Sequence, residues 1–342
     1  MLRLLALLAL LACGPLRAAE PVLYPVGMTQ IEFVEPTDGR TLDLMLIYPA
    51  APAPDAMPVK IFMADALTLY QDAPAAPGGP RPLVVFSHGA GGNGAGYAWF
   101  GEYLAARGYI VALVYHFRAH TYDSSALYVR NRLWQRPVDI SLDITHLVGD
   151  PTWGPRIDAG RIGVAGHSQG GFTALWMGGA EVDPEGFLDF QRAWQGNVAL
   201  PPYLREAMTL DAEPALHVRD DRVRAAFAMA PGDIQGFGMT EAGLAKMAVP
   251  AYVIVGEGDT TTPPAENAAF AAAHMPGARL EVLPGPVGHE IFGNECDQVG
   301  RDNFPETCVD APGVDRRALP RRIGDAAVGF FDAALGVERP AP

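Results

Sequence analysis

Residues 166–170, Gly-His-Ser-Gln-Gly, constrain this chain more than any other stretch. Upstream, Arg-Ile-Gly-Val-Ala at 161–165 reads as a short buried strand; downstream, Gly-Phe-Thr-Ala-Leu-Trp-Met at 171–177 reads as the start of a helix. A strand, a sharp turn with serine at its apex, then a helix is the setting that a G-x-S-x-G nucleophile elbow requires. The turn is so tight that a side chain two positions to either side of Ser168 collides with neighbouring backbone, and the glycines relieve that collision. Only five serines occur in 342 residues, so composition gives little reason for the match. The plain alternative is a Gly-rich structural turn.

A serine hydroxyl is a poor nucleophile at neutral pH unless a base takes its proton and a third group orients that base. Around such an elbow the partners follow in the order serine, acid, histidine, each just beyond a strand. Residues 250–256 read as a strand running into Glu257-Gly258-Asp259-Thr260, which offers Asp259 as the acid. The next strand, 279–283, runs into Pro284-Gly285-Pro286-Val287-Gly288-His289, a loop able to bring His289 toward Ser168 as the base. Asp259 has an alternative use as a cap for a helix starting near Pro264, with Glu257 and Asp233 as reserve acids; His289 has one as a solvated loop residue. A tetrahedral intermediate also needs backbone donors. The Gln169 amide, just after the serine at a helix N-terminus, is one candidate. Ala90 is the other, within Ser87-His88-Gly89-Ala90-Gly91-Gly92. That loop lacks the Lys-Ser/Thr ending of a phosphate-binding loop. His116 and His120 are four apart but follow a strand, so helical metal-ligand geometry is not expected, and no metal is assigned.

The remainder alternates. Residues 30–34 and 41–48 form β-rich runs joined across Asp38-Gly39, a hairpin signal. Pro/Ala-rich loops cover 49–58 and 73–82. Strands are expected at 83–87, 109–115 and 225–230, with helices at 97–107, 138–148, 264–274 and 323–335. Such alternation implies an α/β fold, a mostly parallel sheet with helices on both faces. Residues 180–224 interrupt it, and their Phe187, Phe190, Trp194, Tyr203 and Leu204 suggest a helical cap over the site; a packed surface excursion is the alternative.

Residues 1–19 look like a secretory signal: Arg3, then about nine apolar residues, then small residues ending near Ala18 or Ala19. Leu10-Leu11-Ala12-Cys13 also resembles a lipobox, in which case Cys13 would carry a lipid anchor and provide the only expected membrane association. The mature chain, 20–338, is expected to be a single domain, periplasmic or secreted, or else a lipid-anchored envelope protein. With Cys13 removed or lipidated, Cys296 and Cys308 remain as an even pair suited to a disulfide in an oxidising compartment, two free thiols being the alternative. A net charge of −14 with dispersed arginines and only two lysines argues against nucleic acid as a partner.

Phe86-Ser87-His88-Gly89-Ala90, Gly108-Tyr109-Ile110-Val111-Ala112, Arg136-Pro137-Val138-Asp139-Ile140, the elbow with Gly171, and Pro312-Gly313-Val314-Asp315-Arg316 together give the chain a specific likeness. It resembles the α/β-hydrolase family, and more narrowly a secreted bacterial branch grouped with dienelactone hydrolases and platelet-activating-factor acetylhydrolases, over about residues 84–335. The resemblance implies Ser168, Asp259 and His289 as a catalytic triad, Ala90 and Gln169 as oxyanion donors, and no cofactor. It departs in two places. Dienelactone hydrolases use a cysteine nucleophile, and the acetylhydrolases place their acid after the strand that follows the elbow helix, where Asp233 is nearest. The expected activity is hydrolysis of carboxylic esters, short-chain ones first, through an acyl-enzyme. Alternatives are an acetylhydrolase or phospholipase A2-like lipid esterase, a polyester or peptide hydrolase, and a non-catalytic binding protein. The expected partner is thus a small-molecule or lipid ester.

Overall fold

A computed structural model describes residues 23–53, 55–125 and 130–338. The expected signal segment 1–19, with Cys13, lies outside the described residues. Among the described residues ten strands form one sheet: β1 (Val26–Val34), β2 (Thr41–Pro49), β3 (Pro58–Val59), β4 (Leu69–Gln71), β5 (Arg81–Ser87), β6 (Ile110–Tyr115), β7 (Ile157–His167), β8 (Val223–Met229), β9 (Ala251–Gly256) and β10 (Arg279–Leu283). Their spatial order is β10-β9-β8-β7-β5-β6-β2-β1-β4-β3. From β10 to β6 every neighbouring pair is parallel, whereas β2 joins β6 and β1 joins β2 antiparallel. The hairpin turns where its sequence indicated, with Gly39 at φ +73° and the Glu35 carboxylate accepting from the amides of Thr37 and Asp38. The short strands β3 and β4 arise within a stretch too rich in Pro, Ala and Asp to read as sheet.

The helices are α1 (Ala98–Ala105), α2 (Gln135–Gly149), α3 (Gln169–Met177), α4 (Pro184–Gln195), α5 (Pro202–Glu206), α6 (Glu241–Leu244), α7 (Ala268–His274), α8 (Gln298–Asn303), α9 (Pro305–Cys308) and α10 (Ala318–Leu335). Helices α1 and α10 pack together over one face, where Phe331 lies on Gly163 and Phe227 meets Phe100, Phe330 and Phe331. Helices α2 and α3 pack together against β5 and β7. Strands covered on both sides explain the unbroken apolar runs of β5, β6 and β9.

Strand order reverses at β5, whose neighbours β6 and β7 both follow it in sequence. At such a switch point the loops leaving adjacent parallel strands diverge and open a crevice at the carboxyl edge. The segments after β5, β7, β9 and β10 therefore share one edge, which gathers residues 88–90, 168–169, 259 and 289.

Residues 180–224 hold α4, α5 and a 3-10 turn at Glu213–Leu216. They dock beside the elbow helix through an aromatic cluster in which Phe187 meets Trp176 and Phe190 meets Phe237, which in turn meets Phe172. Gln191 fastens the segment, donating to the carbonyls of Asn131 and Asp211 and accepting from the Asp211 amide.

Cys296 and Cys308 form a disulfide around the two short helices α8 and α9. A bidentate Arg316–Asp310 ion pair closes the same region. Among the described residues no helix is long and apolar enough to cross a membrane. The cross-link closes a 12-residue separation, for which loss of unfolded-chain entropy stabilises by ~3 kcal/mol. Reduction, or Cys308→Ser, is expected to lower Tm by roughly 3–6 °C in a thermal melt, and identical melts with and without reductant would remove the stapling role.

Candidate active site

Ser168 sits between the last residue of β7 and the first of α3 with φ 55° and ψ −122°, a left-handed conformation that side chains rarely adopt. Such a residue costs on the order of 1–3 kcal/mol and persists only where its surroundings hold it. Three backbone bonds do so: the Ser168 amide donates to the Met229 carbonyl at 2.9 Å, and the Ser168 carbonyl accepts from Gly232 and Phe172 at 3.0 and 3.1 Å. A Cβ on Gly170 would lie 1.9 Å from the Ser87 carbonyl oxygen, and one on Gly166 would lie 2.2 Å from the Gly170 oxygen. These two glycines are thus required by the close approach of the elbow to the end of β5.

His289 and Asp259 meet across the loops after β10 and β9, with His289 Nδ1 2.7 Å from Asp259 Oδ2 and both residues buried. The carboxylate also accepts from the Thr261 and Thr262 amides at 2.9 and 2.8 Å and from the Thr262 hydroxyl at 2.9 Å. Burial pushes the Asp259 carboxyl up, but the hydrogen bond and charge of His289 and the Thr262 donors outweigh it and hold the group below the ordinary carboxylate range. With Nδ1–H donated to Asp259, Nε2 is left as the basic nitrogen. The ring's hydrogen bonds go to Asp259 and Thr262, and none joins it to Ser168 Oγ among the described residues. The ring of His167, the residue before Ser168 in the chain, lies 4.4 Å from that of His289, centroid to centroid. The reserve acids have other work. Glu257 accepts from the Gly285 amide in the loop leading to His289, and Asp233 turns back on its own Gly236.

Ala90 follows Gly89, where a Cβ would lie 3.4 Å from that of Ser168. The peptide between them is aimed by its own carbonyl. Gly89 O accepts from His88 Nδ1 at 2.7 Å and from the Gly92 amide at 3.2 Å, and in a planar trans peptide the Ala90 N–H must point the opposite way. His88 Nε2 accepts from the His116 amide, which assigns the tautomer. Burial, with the Arg136 charge added, keeps that imidazole neutral. Next to it the Gly89 amide donates to Tyr97 Oη, Tyr97 lies 2.8 Å from His167 Nδ1, and His167 Nε2 lies 3.1 Å from the His289 carbonyl. Burial raises the Tyr97 phenol and lowers the His167 imidazole, so the phenol donates to a neutral ring whose Nε2–H reaches the His289 carbonyl.

Asn294 and Trp99 tie the loop after His289 to the start of α1 through Ala95, Gly96 and Phe292. On the other side of the loop after β5, the Thr121 amide and hydroxyl donate to Gly92 and Gly91 carbonyls. That neighbouring loop walls a cavity of about 240 Å³ lined by Asp43, Tyr115, Phe117, His120 and Tyr122 among others. Among the described residues no three His, Cys, Asp or Glu side chains converge as a metal site. Sequence reasoning missed Tyr97, Thr262 and the relay through His167; a Thr run after Asp259 hinted at the second, and nothing local marked the first.

A model of the alpha/beta hydrolase family matches residues 84–300. Among solved structures, the chain is similar to the ferulic acid esterase from Streptomyces cinnamoneus, with 24% identity over 96% of this chain and 94% of that one and a TM-score of 0.62, a likeness of fold. No curated protein sequence matches it.

The glycine contacts and the Asp259 environment each have a measurable consequence. Gly170→Ala forces backbone apart and is expected to destabilise by about 3 kcal/mol or more, whereas Gly329→Ala, where a Cβ meets nothing within 4 Å on the solvent face of α10, is expected to be neutral or stabilising; paired thermal melts compare them. Because Asp259 is depressed in the folded state, its stabilisation is present above about pH 4 and lost as pH falls through the folded value. The Tm gap between wild type and Asp259→Asn should be constant above about pH 5 and narrow below pH 4; a gap that widens on acidification contradicts the assignment.

Proposed function

The chain belongs to the alpha/beta hydrolase family, and from that premise we propose that it is a serine hydrolase of carboxylic esters, with Ser168 as nucleophile, His289 as base and Asp259 as its orienting acid. The observation that carries this reading is the 2.7 Å Asp259–His289 pair on the same sheet edge as a strained Ser168. When an acyl carbonyl enters, Ser168 Oγ attacks its carbon while His289 Nε2 takes the hydroxyl proton, through a hydrogen bond made in the reactive complex. Asp259 holds Nδ1–H and stabilises the imidazolium that forms. The oxyanion receives the Gln169 and Ala90 amides, each worth roughly 3–4 kcal/mol in systems of this kind. His289 then gives its proton to the leaving alkoxide, and a water activated by the same imidazole releases the acid from Ser168.

Short-chain and acetyl esters are the preferred substrates, because the small residues Ala90 and Gly91 leave the mouth of the donor loop open. The pairing of His289 with Asp259, with Asp233 folded on its own turn, supports a general esterase over the acetylhydrolase pattern. Esters of aromatic acids are a second reading. The cavity walled by Tyr115, Phe117, His120 and Tyr122 beside the donor loop favours it, and the structural neighbour is itself an esterase of ferulic acid, an aromatic acid. Residues 180–224 serve as the cap insertion, and the protein acts after export, with which its disulfide is compatible.

Ser168→Ala is expected to abolish turnover of p-nitrophenyl acetate and labelling by a fluorophosphonate. Asp259→Asn should lower kcat by roughly 10³–10⁴ while Asp233→Asn retains it. Turnover by Ser168→Ala would end the mechanism, and the opposite ranking of the two aspartates would move the acid. Comparing acetate, butyrate and octanoate esters with an aryl-acrylate ester separates the substrate readings.

A further inference from the structure

Arg136 occupies a position that helix physics disfavours. It is the second residue of α2, where the unpaired amides and the dipole favour anions, yet it is a cation only 4% exposed. A buried guanidinium is retained only where hydrogen bonds replace its water. Its Nη1 donates to Gln169 Oε1 at 2.8 Å, and its Nη2 donates to the Ser87 hydroxyl at 3.2 Å and to the His88 carbonyl. One arm of the planar fork thus grips the residue after Ser168, and the other grips the peptide that leads into Gly89 and Ala90. These are the two chain segments whose amides form the donor pair of the proposed reaction.

We propose that Arg136 is a positioning residue for acyl transfer, a buried cross-link that sets the spacing of the Gln169 and Ala90 amides. The proposal rests on the serine-hydrolase reading above. The His88–Gly89 peptide is held at both ends, its carbonyl by Arg136 and its amide by Tyr97, so it cannot rotate without breaking one of the two. The neighbouring Gly89 carbonyl is held by His88, which stays neutral beside the guanidinium and so keeps the lone pair that accepts from His116. The anchor behind the fork is equally buried. Ser87 Oγ lies 2.8 Å from His116 Nε2, His116 faces Asp139 at 3.4 Å, and Asp139 bonds Arg40 at 2.6 Å. Asp139 is one turn beyond Arg136 on the same helix, so α2 holds both ends of the network. Lysine cannot replace such a fork, because an ammonium is a point donor without the planar spacing that spans two acceptors.

The test measures kcat, KM and affinity for a trifluoromethyl ketone, a mimic of the tetrahedral intermediate, in full-length Arg136→Lys and Gln169→Ala, with circular dichroism to verify folding. Both variants keep every backbone amide. Arg136→Lys is expected to lower kcat roughly 10–100-fold with KM within twofold, and to weaken the ketone by a similar factor, since both depend on donor alignment. Gln169→Ala removes one arm of the cross-link and should show the same split, with a double variant no worse than Arg136→Lys alone. A folded Arg136→Lys with wild-type kcat, or a kcat loss without loss of ketone affinity, overturns the proposal. If Arg136→Lys does not fold, Gln169→Ala decides it, and unchanged kcat there overturns it. A wild type that neither reacts with fluorophosphonate at Ser168 nor cleaves esters fails the underlying reading instead.

Discussion

The close approach of the elbow to the end of β5 is the constraint on which the rest of the site depends. At Gly170 the two backbones pass so near that a methyl group would sit 1.9 Å from the Ser87 carbonyl oxygen. This contact brings Ser168 and the loop after β5, far apart in sequence, into one crevice. It also explains why the turn tolerates Ser168 in a left-handed conformation: the surrounding sheet packs too tightly for it to relax. The positive φ of Ser168, half-buried at the sheet edge, is thus held in place by packing on both sides.

Around that contact the site is organised by buried hydrogen bonds. Tyr97 and His167 link the Gly89 amide to the His289 carbonyl, His88 orients the Gly89 carbonyl, and Asp259 is saturated by three donors from Thr261 and Thr262 besides the imidazole. In a medium of low dielectric each of these bonds is stronger than in water and more costly to leave unmade, so the loops carrying them are confined to one arrangement. Burial also sets protonation. It keeps His88, His116 and His167 neutral, and it pushes the Asp139 carboxyl up to about 6 against the pull of Arg40. Neutral imidazoles offer one donor and one acceptor each, which is what a relay of fixed direction needs.

Much of the architecture was legible in the sequence. The apolar runs of β5, β6 and β9, the Asp38-Gly39 hairpin and the strand–turn–helix around Ser168 carry local signals that survive folding unchanged. Boundaries drifted where packing extended an element: α2 begins at Gln135, ahead of Pro137, because proline is tolerated in a first turn whose amides have no helical partner. The strands β3 and β4 were illegible because they are two and three residues long and form only by pairing, β4 with β1 and β3 with β4. The short helices inside the disulfide loop had no periodicity to reveal them, being four to six residues long.

By itself, the sequence determined the alternating α/β pattern, the glycines that permit the elbow, and the order in which serine, acid and histidine follow strands. Those features are local or depend on chain order, so they are visible in the chain itself. Only the tertiary structure decided which carboxylate meets His289, since Asp259, Glu257 and Asp233 all follow strands and differ only in where their loops turn. It alone placed Tyr97, Thr262 and Arg136 in the site, because each acts through contacts with segments far along the chain. Their roles come from directions of bonds, and direction is a property of the folded backbone that residue identity does not encode.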